Sequence, residues 1–213
     1  MSNPWLSVGL SEYEQHMAST EVQQLGALSD LFGAGISRCR PLSVAILGIA
    51  GGNGLDHIDT ATIARIVGLD INPDYLDATR HRYAYIRGLE LHCVDLCKQD
   101  LRLAPVDFVH AALIFEHAGV DRCLDNALSL VAPGGHLSVV LQLPTQDGRS
   151  AVGSKFASIR KLGCHFALVS PQWLEEALAF RGLRLIHATT RALPLGKGFW
   201  AGIFVAPEAE GSP

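Results

Sequence analysis

Val44-Ala45-Ile46-Leu47-Gly48-Ile49-Ala50-Gly51-Gly52-Asn53-Gly54 is the stretch on which the reading of this chain turns. Ser43–Leu47 is apolar after its first residue and of strand length, as expected of a strand buried on both faces. It runs straight into a turn with four glycines and one alanine in seven residues. Glycines remove side chains where a ligand must lie against the backbone. With an aspartate closing the next apolar run at Asp70, that ligand is read as a nucleoside cofactor.

The rest of the chain supplies the frame for such a turn. Residues 10–39 carry helical spacing in Tyr13, His16, Met17, Val22, Leu25, Leu28, Leu31 and Phe32, and Arg40-Pro41 closes the segment. After the turn come a short helix at 55–58, a strand at 64–70, a helix from Pro73 to about Tyr85 capped by Asn72, and a strand at 89–94. Asp107 opens a fourth strand, 108–113, followed by a helix at 121–131. Pro133-Gly134-Gly135 is expected to turn tightly into a fifth strand, 136–142, and 144–153 reads as loop. A helix starts at Ser170-Pro171 and ends near Gly182. Two closing strands, 183–189 and 197–205, are joined by so few residues that they must form an antiparallel hairpin. Strands alternating with helices give a mostly parallel sheet with helices on both faces. We expect three segments: an N-terminal helical lid, 1–40; a cofactor-binding body, 41–207; and a disordered tail, 208–213.

Composition narrows the function. The chain has 213 residues, 48% hydrophobic and 18% charged, with a formal charge of −4. That is a globular composition without the basic stripe that nucleic acid requires. No apolar run is long enough to span a bilayer. The N-terminus lacks the basic start and apolar core of a signal peptide, so a cytoplasmic location is expected. The five cysteines show no pairing framework, and Cys93 and Cys97 with His92 lack a second ligand pair, so no metal is expected.

In open α/β sheets, ligands bind beyond the carboxyl ends of the strands. Asp70, ending the second strand, is placed to accept the hydroxyls of a ribose, and Asp95, ending the third, to reach the exocyclic amine of an adenine. Each residue alone has a plain structural reading: a loop turn, a helix cap, a solvated carboxylate. Together, at this spacing, they favour a cofactor site. A pyrophosphate cradle needs Gly-x-Gly-x-x-Gly. Counting from Gly48, the third and sixth positions are Ala50 and Asn53; counting from Gly52, the sixth is His57. A nicotinamide-dependent oxidoreductase is therefore the weaker alternative.

The chain resembles class I S-adenosylmethionine-dependent methyltransferases. Ile46–Gly54 is similar to that family's first motif, Val67-Gly68-Leu69-Asp70-Ile71-Asn72-Pro73 to its second and Val94-Asp95-Leu96 to its third. Val106-Asp107-Phe108-Val109 with Glu116-His117 is similar to the fourth, and Leu130-Val131-Ala132-Pro133-Gly134-Gly135 to the turn before strand five. The resemblance implies a Rossmann-like, seven-stranded, mostly parallel sheet with a C-terminal antiparallel hairpin. It implies S-adenosyl-L-methionine held by Gly48, Ile49, Ala50, Gly51, Asn53, Asp70, Ile71, Asp95, Leu96 and Ala112. Ile46 stands where the family has an acidic residue, and Ala50 where it has its second glycine; Ala50 is expected to keep the turn provided its φ is negative.

Methyl transfer from a sulfonium needs alignment and water exclusion more than a catalytic motif. His117 and Glu116 after the fourth strand, and Tyr13 and His16 on the lid, are the candidate catalytic residues. His117 has an imidazole suited to proton abstraction near neutral pH, or it merely packs the following helix. The metal-assisted enzymes with a similar Glu-His pair carry a carboxylate three residues earlier, where this chain has Leu113. Gln142 and Phe199 or Trp200 are candidates for an acceptor pocket, and Lys197 reads as a strand-edge charge. The expected acceptor is a small molecule. A homodimer is compatible with the sequence, and a non-catalytic cofactor-binding partner protein is the alternative function.

Overall fold

The computed structural model describes residues 3–145, 154–163 and 166–209. Seven strands form one sheet in the order β3-β2-β1-β4-β5-β7-β6: β1 (Ser43–Leu47), β2 (Arg65–Asp70), β3 (Leu89–Cys93), β4 (Val106–Ala112), β5 (Val131–Leu143), β6 (Arg184–Ala192) and β7 (Gly198–Val205). The first five run parallel; β7 lies antiparallel to both β5 and β6. The expected fold class is the observed one. The order reverses between β1 and β4, so a crevice opens where their carboxyl ends part.

The period-two alternation of β1 builds the layers. Val44 and Ile46 join one apolar cluster with Phe32, Leu76 and Phe108, while Ala45 and Leu47 join the opposite one with Leu124, Leu137 and Phe204. Seven helices cover the sheet: α1 (Leu10–Ala18), α2 (Gln24–Cys39), α3 (Pro73–Arg82), α4 (Phe115–Ala118), α5 (Asp121–Ser129), α6 (Ala157–Leu162) and α7 (Pro171–Phe180). Two caps fall where the sequence places them. The Asn72 side chain accepts from the Asp74 amide at 3.0 Å, and Ser170 accepts from Trp173. The Asp107 carboxylate accepts from both amides and the hydroxyl at Leu42-Ser43, fixing the start of β1 against β4.

Three expectations need correction. The helical stretch 10–39 is two helices, because the chain breaks at 19–23. The Ser19 hydroxyl donates to the His16 carbonyl, and Gln23 takes a left-handed φ of 49°. Pro133-Gly134-Gly135 does not precede β5 but bulges within it: Val106 pairs with Val131 and Phe108 with His136. Pro133 has no amide for the ladder, and Gly134 donates instead to the Pro207 carbonyl. Helix α4 occupies the stretch after the fourth strand read as loop, and α6 a stretch to which the sequence assigned no element; most of the 144–153 loop reading, and the tail beyond residue 209, lie outside the described residues. Among the described residues, no helix is long and apolar enough to cross a membrane.

Ala50 overturns a condition set by the sequence, since its φ is +47°. A left-handed alanine places Cβ against the following carbonyl oxygen, at about 1–2 kcal/mol. Ala50→Gly should therefore raise unfolding stability by about 0.5–1 kcal/mol, the relieved clash exceeding the extra freedom of the unfolded glycine. Urea denaturation tests this; a loss of stability would contradict the left-handed turn.

Candidate active site

A cavity of about 1160 Å³, measured to its open mouth, lies over the carboxyl ends of the parallel strands. Its floor is the turn after β1. The Gly48 and Ile49 amides both donate to the Leu69 carbonyl, at 2.8 and 3.0 Å. The Ala50 amide donates to Asp70 Oδ2 at 2.9 Å, and its carbonyl accepts from Thr79 Oγ1 at 2.7 Å. Arg82 reaches the Gly51 carbonyl at 2.8 Å. The turn is thus anchored on β2 and α3, and Ile46, buried in the core, leaves no gap where the family has an acid. Gly48 and Ala50 line the cavity. At Gly48, φ is +72° and a Cβ would lie 3.1 Å from the Ile114 side chain, which also lines the cavity.

Asp70 sits at the wall between turn and helix. Its Oδ1 accepts from the Asn72 amide at 2.9 Å while Oδ2 holds Ala50. Burial pushes its carboxyl above the usual range, against the pull of the Asn72, Ala50 and Ile71 amides. Asp95 lies further along the same wall. Partial burial raises its pKa, but the Lys98 ammonium at 2.9 Å and the Cys97 amide outweigh it and hold the group below its ordinary value. Ile71, Leu96 and Ala112 line the cavity with them.

The roof comes from the N-terminus and α6. The Trp5 carbonyl accepts from the Asn72 side chain at 2.9 Å, and Glu14 pairs with Arg82 at 2.6 Å. Glu12 accepts from the hydroxyl of Ser158 in α6, while Val8, Ile159 and Leu162 pack into one apolar cluster. Tyr13, His16 and Met17 of α1 line the cavity from this side. Burial, then the charges of Asp70 and Glu14, raise the Tyr13 phenol, so it donates hydrogen bonds rather than acting as a base. Burial and the Lys197 charge lower the His16 imidazole. His117 also lines the cavity, held edge-on between Trp5 and Phe166 at centroid distances of 4.9 and 5.1 Å.

Several candidate residues are placed elsewhere. Glu116 turns into the core: it is 1% exposed, and its Oε1 accepts from the Gln142 amide at 2.7 Å. The short helix α4 puts adjacent residues on different faces, so His117 meets the cavity and Glu116 does not. Ile49 is buried beneath the turn, and the Gly51 carbonyl is taken by Arg82. The Asn53 side chain donates to the Leu25 carbonyl at 2.9 Å, tying the turn to α2. Phe199 and Trp200 belong to apolar clusters, whereas Lys197 lines the cavity.

Residues that sequence reading missed close the gaps. Gln24 lay inside what the sequence reads as one helical stretch and, like Trp5 and Tyr75, carried no signal. Tyr75 lines the cavity, stacks with Tyr13 at 6.2 Å, and its buried hydroxyl has no hydrogen-bond partner among the described residues. An orphaned hydroxyl beside a buried carboxylate fits a ligand rich in hydroxyl and amine groups, as a nucleoside is. Among the described residues no cluster of three or more metal-ligating side chains occurs.

Residues 46–137 match a family described as a methyltransferase domain. No curated protein matches the chain. Among solved structures, the N-methyltransferase NodS from Bradyrhizobium japonicum WM9, in complex with S-adenosyl-L-homocysteine, is similar at 14% identity and a TM-score of 0.68, covering 97% of this chain and 100% of that one. Magnesium protoporphyrin IX methyltransferase from Synechocystis PCC 6803, with the same product bound, has 13% identity, a TM-score of 0.69 and 95% coverage of each chain. The [4+2]-cyclase SpnF has 13% identity and a TM-score of 0.67, covering 90% and 84%. These structures establish a Rossmann-like methyltransferase fold, and residues 46–137 carry the likeness to a methyltransferase domain.

Burial raises the Glu116 carboxyl to about 7 from an ordinary 4.5, although its own amide and that of Gln142 pull it down. The folded state therefore favours the protonated acid, a stabilisation complete below 4.5 and lost as pH rises through about 7. Relative to Glu116→Gln, the native protein should lose on the order of 2–3 kcal/mol across that window. Urea denaturation at a series of pH values checks this; a difference independent of pH would contradict the burial of an ionisable acid.

Proposed function

We propose that the chain methylates a small-molecule acceptor, with donor and acceptor meeting in this one cavity. The observation that carries the reading is the lining: Gly48, Ala50, Asp70 and Asp95 at one end, His16 and Gln142 at the other, and His117 between them. Asp70 and Tyr75 are assigned to the ribose and Asp95 with Leu96 to the adenine. Ala112 and Leu113 lie beside the reacting end. When bound, the cofactor supplies an activated methyl group on a sulfonium.

The chain's own work is alignment and exclusion of water for an in-line displacement. Residues 1–40 act as a lid over the body, 41–207, with Trp5, Tyr13 and Met17 shielding the reacting centre. His117, gripped between Trp5 and Phe166, faces the acceptor and accepts its proton where the acceptor has one to lose. Asp70 already holds two amides, and each oxygen retains a lone pair for a hydroxyl. A small acceptor is supported by the roofed cavity, open at one mouth, and by the small-molecule methyltransferases among the structural neighbours. The described cysteines are all free, in keeping with a reducing, cytoplasmic setting.

The likeness to a cyclase supports a second reading, in which the bound cofactor is a scaffold and no methyl group moves. Release of S-adenosylhomocysteine during turnover separates the two. For the site itself, Asp70→Ala should weaken S-adenosylhomocysteine binding by about tenfold or more, because it removes charge-assisted hydrogen bonds worth about 1.5–3 kcal/mol. Isothermal titration checks this on protein shown to be folded by circular dichroism; an unchanged dissociation constant removes Asp70 from the cofactor.

A further inference from the structure

Sheet geometry separates the cavity into two ends. Neighbouring strands lie about 4.8 Å apart, so a residue at the tip of β7 is about 10 Å from β4 and about 14 Å from β1. Lys197 immediately precedes β7 and lines the cavity there. Gln142, near the end of β5, and Gln24, the first residue of α2, line the same end and are both buried. Their amides meet, Gln24 Nε2 donating to Gln142 Oε1 at 3.5 Å. His16 completes the group from the lid.

This end holds an unneutralised cation. Among the described residues, no carboxylate lies within ion-pair distance of Lys197. The nearby Arg191 has its own partner in Asp30, and Glu116 faces away beneath the Gln142 amide. The field of Lys197 is felt locally, since it helps depress the His16 imidazole. The side-chain nitrogen of Gln142, Nε2, donates to no described residue, its backbone amide being taken by Glu116. The ammonium of a partly buried lysine and the free donors of a buried amide, set among apolar side chains, favour a negative group that meets them. The surrounding side chains, Met17, Val22, Leu113 and Phe166, suit an apolar body.

We infer that the acceptor carries a carboxylate or similarly compact anion, held by Lys197 and Gln142 with its apolar body against Met17 and Phe166. The inference rests on the methyltransferase reading and names the substrate class of that site. The other source of a carboxylate is the methionine end of the cofactor, which the strand spacing places nearer β1 and β4 than β7.

The test uses the full chain saturated with S-adenosylhomocysteine. Calorimetric titration with phenylacetate against phenylacetamide, and with indole-3-acetate against indole-3-acetamide, compares each acid with its neutral amide at neutral pH. An acid should bind about tenfold more tightly than its amide, as expected for one charge-assisted contact. The preference should vanish in Lys197→Met and persist in Lys197→Arg, while S-adenosylhomocysteine binds all three proteins equally. Acids that bind no better than amides, or a preference that survives Lys197→Met, would overturn the inference. Loss of S-adenosylhomocysteine affinity in Lys197→Met would also overturn it, by giving the cation to the cofactor. Failure of the unsubstituted protein to bind S-adenosylhomocysteine would instead count against the methyltransferase reading itself.

Discussion

A single buried carboxylate ties the site together. Asp70 ends β2 with one oxygen on the Ala50 amide and the other on the Asn72 amide. The first bond holds the strained turn after β1, and the second fixes the residue that caps α3. Asn72 in turn donates to the Trp5 carbonyl, so the N-terminal segment is held by the same short stretch. Turn, helix and N-terminal segment are therefore coupled through one residue that also faces the cavity. Burial opposes the charge on Asp70, and the amides supply what solvent no longer does. The left-handed Ala50 is tolerated because its amide and carbonyl are both clamped, by Asp70 and Thr79.

Much of the sheet was legible because its signals are local. The strand–turn junction at Leu47-Gly48, the Asn72-Pro73 cap and the short hairpin connection each rest on neighbouring residues. Corrections arose where distant partners decide. Pro133-Gly134-Gly135 became a bulge because Pro207 and Ala206 offered hydrogen bonds from the far end of the chain. The split between α1 and α2 lets α1 lie over the cavity, and that break follows from the whole fold. Side-chain direction was the least legible feature. Glu116 and Asn53 are polar residues beside the site, yet each turns its polar atoms to a backbone partner elsewhere. Tyr75, Gln24 and Trp5 reach the cavity from three elements remote in sequence.

The cavity's two ends differ in kind. One is built from backbone and carboxylates along β1, β2 and β3, suited to a nucleoside. The other, along β5 and β7, presents an ammonium, two amides and a histidine amid apolar side chains. Between them sits His117, fixed by aromatic rings from the N-terminal segment and from the segment before α7. One side of the grip on His117 is Trp5, so the position of the N-terminal segment bears on the geometry of this part of the cavity.

The most direct test of this account is calorimetry of the full chain with S-adenosylmethionine, S-adenosylhomocysteine and NAD in parallel. The account requires the first two to bind at a single site and NAD to show no binding, since the turn lacks a pyrophosphate cradle. Binding of NAD without either sulfur compound would contradict it.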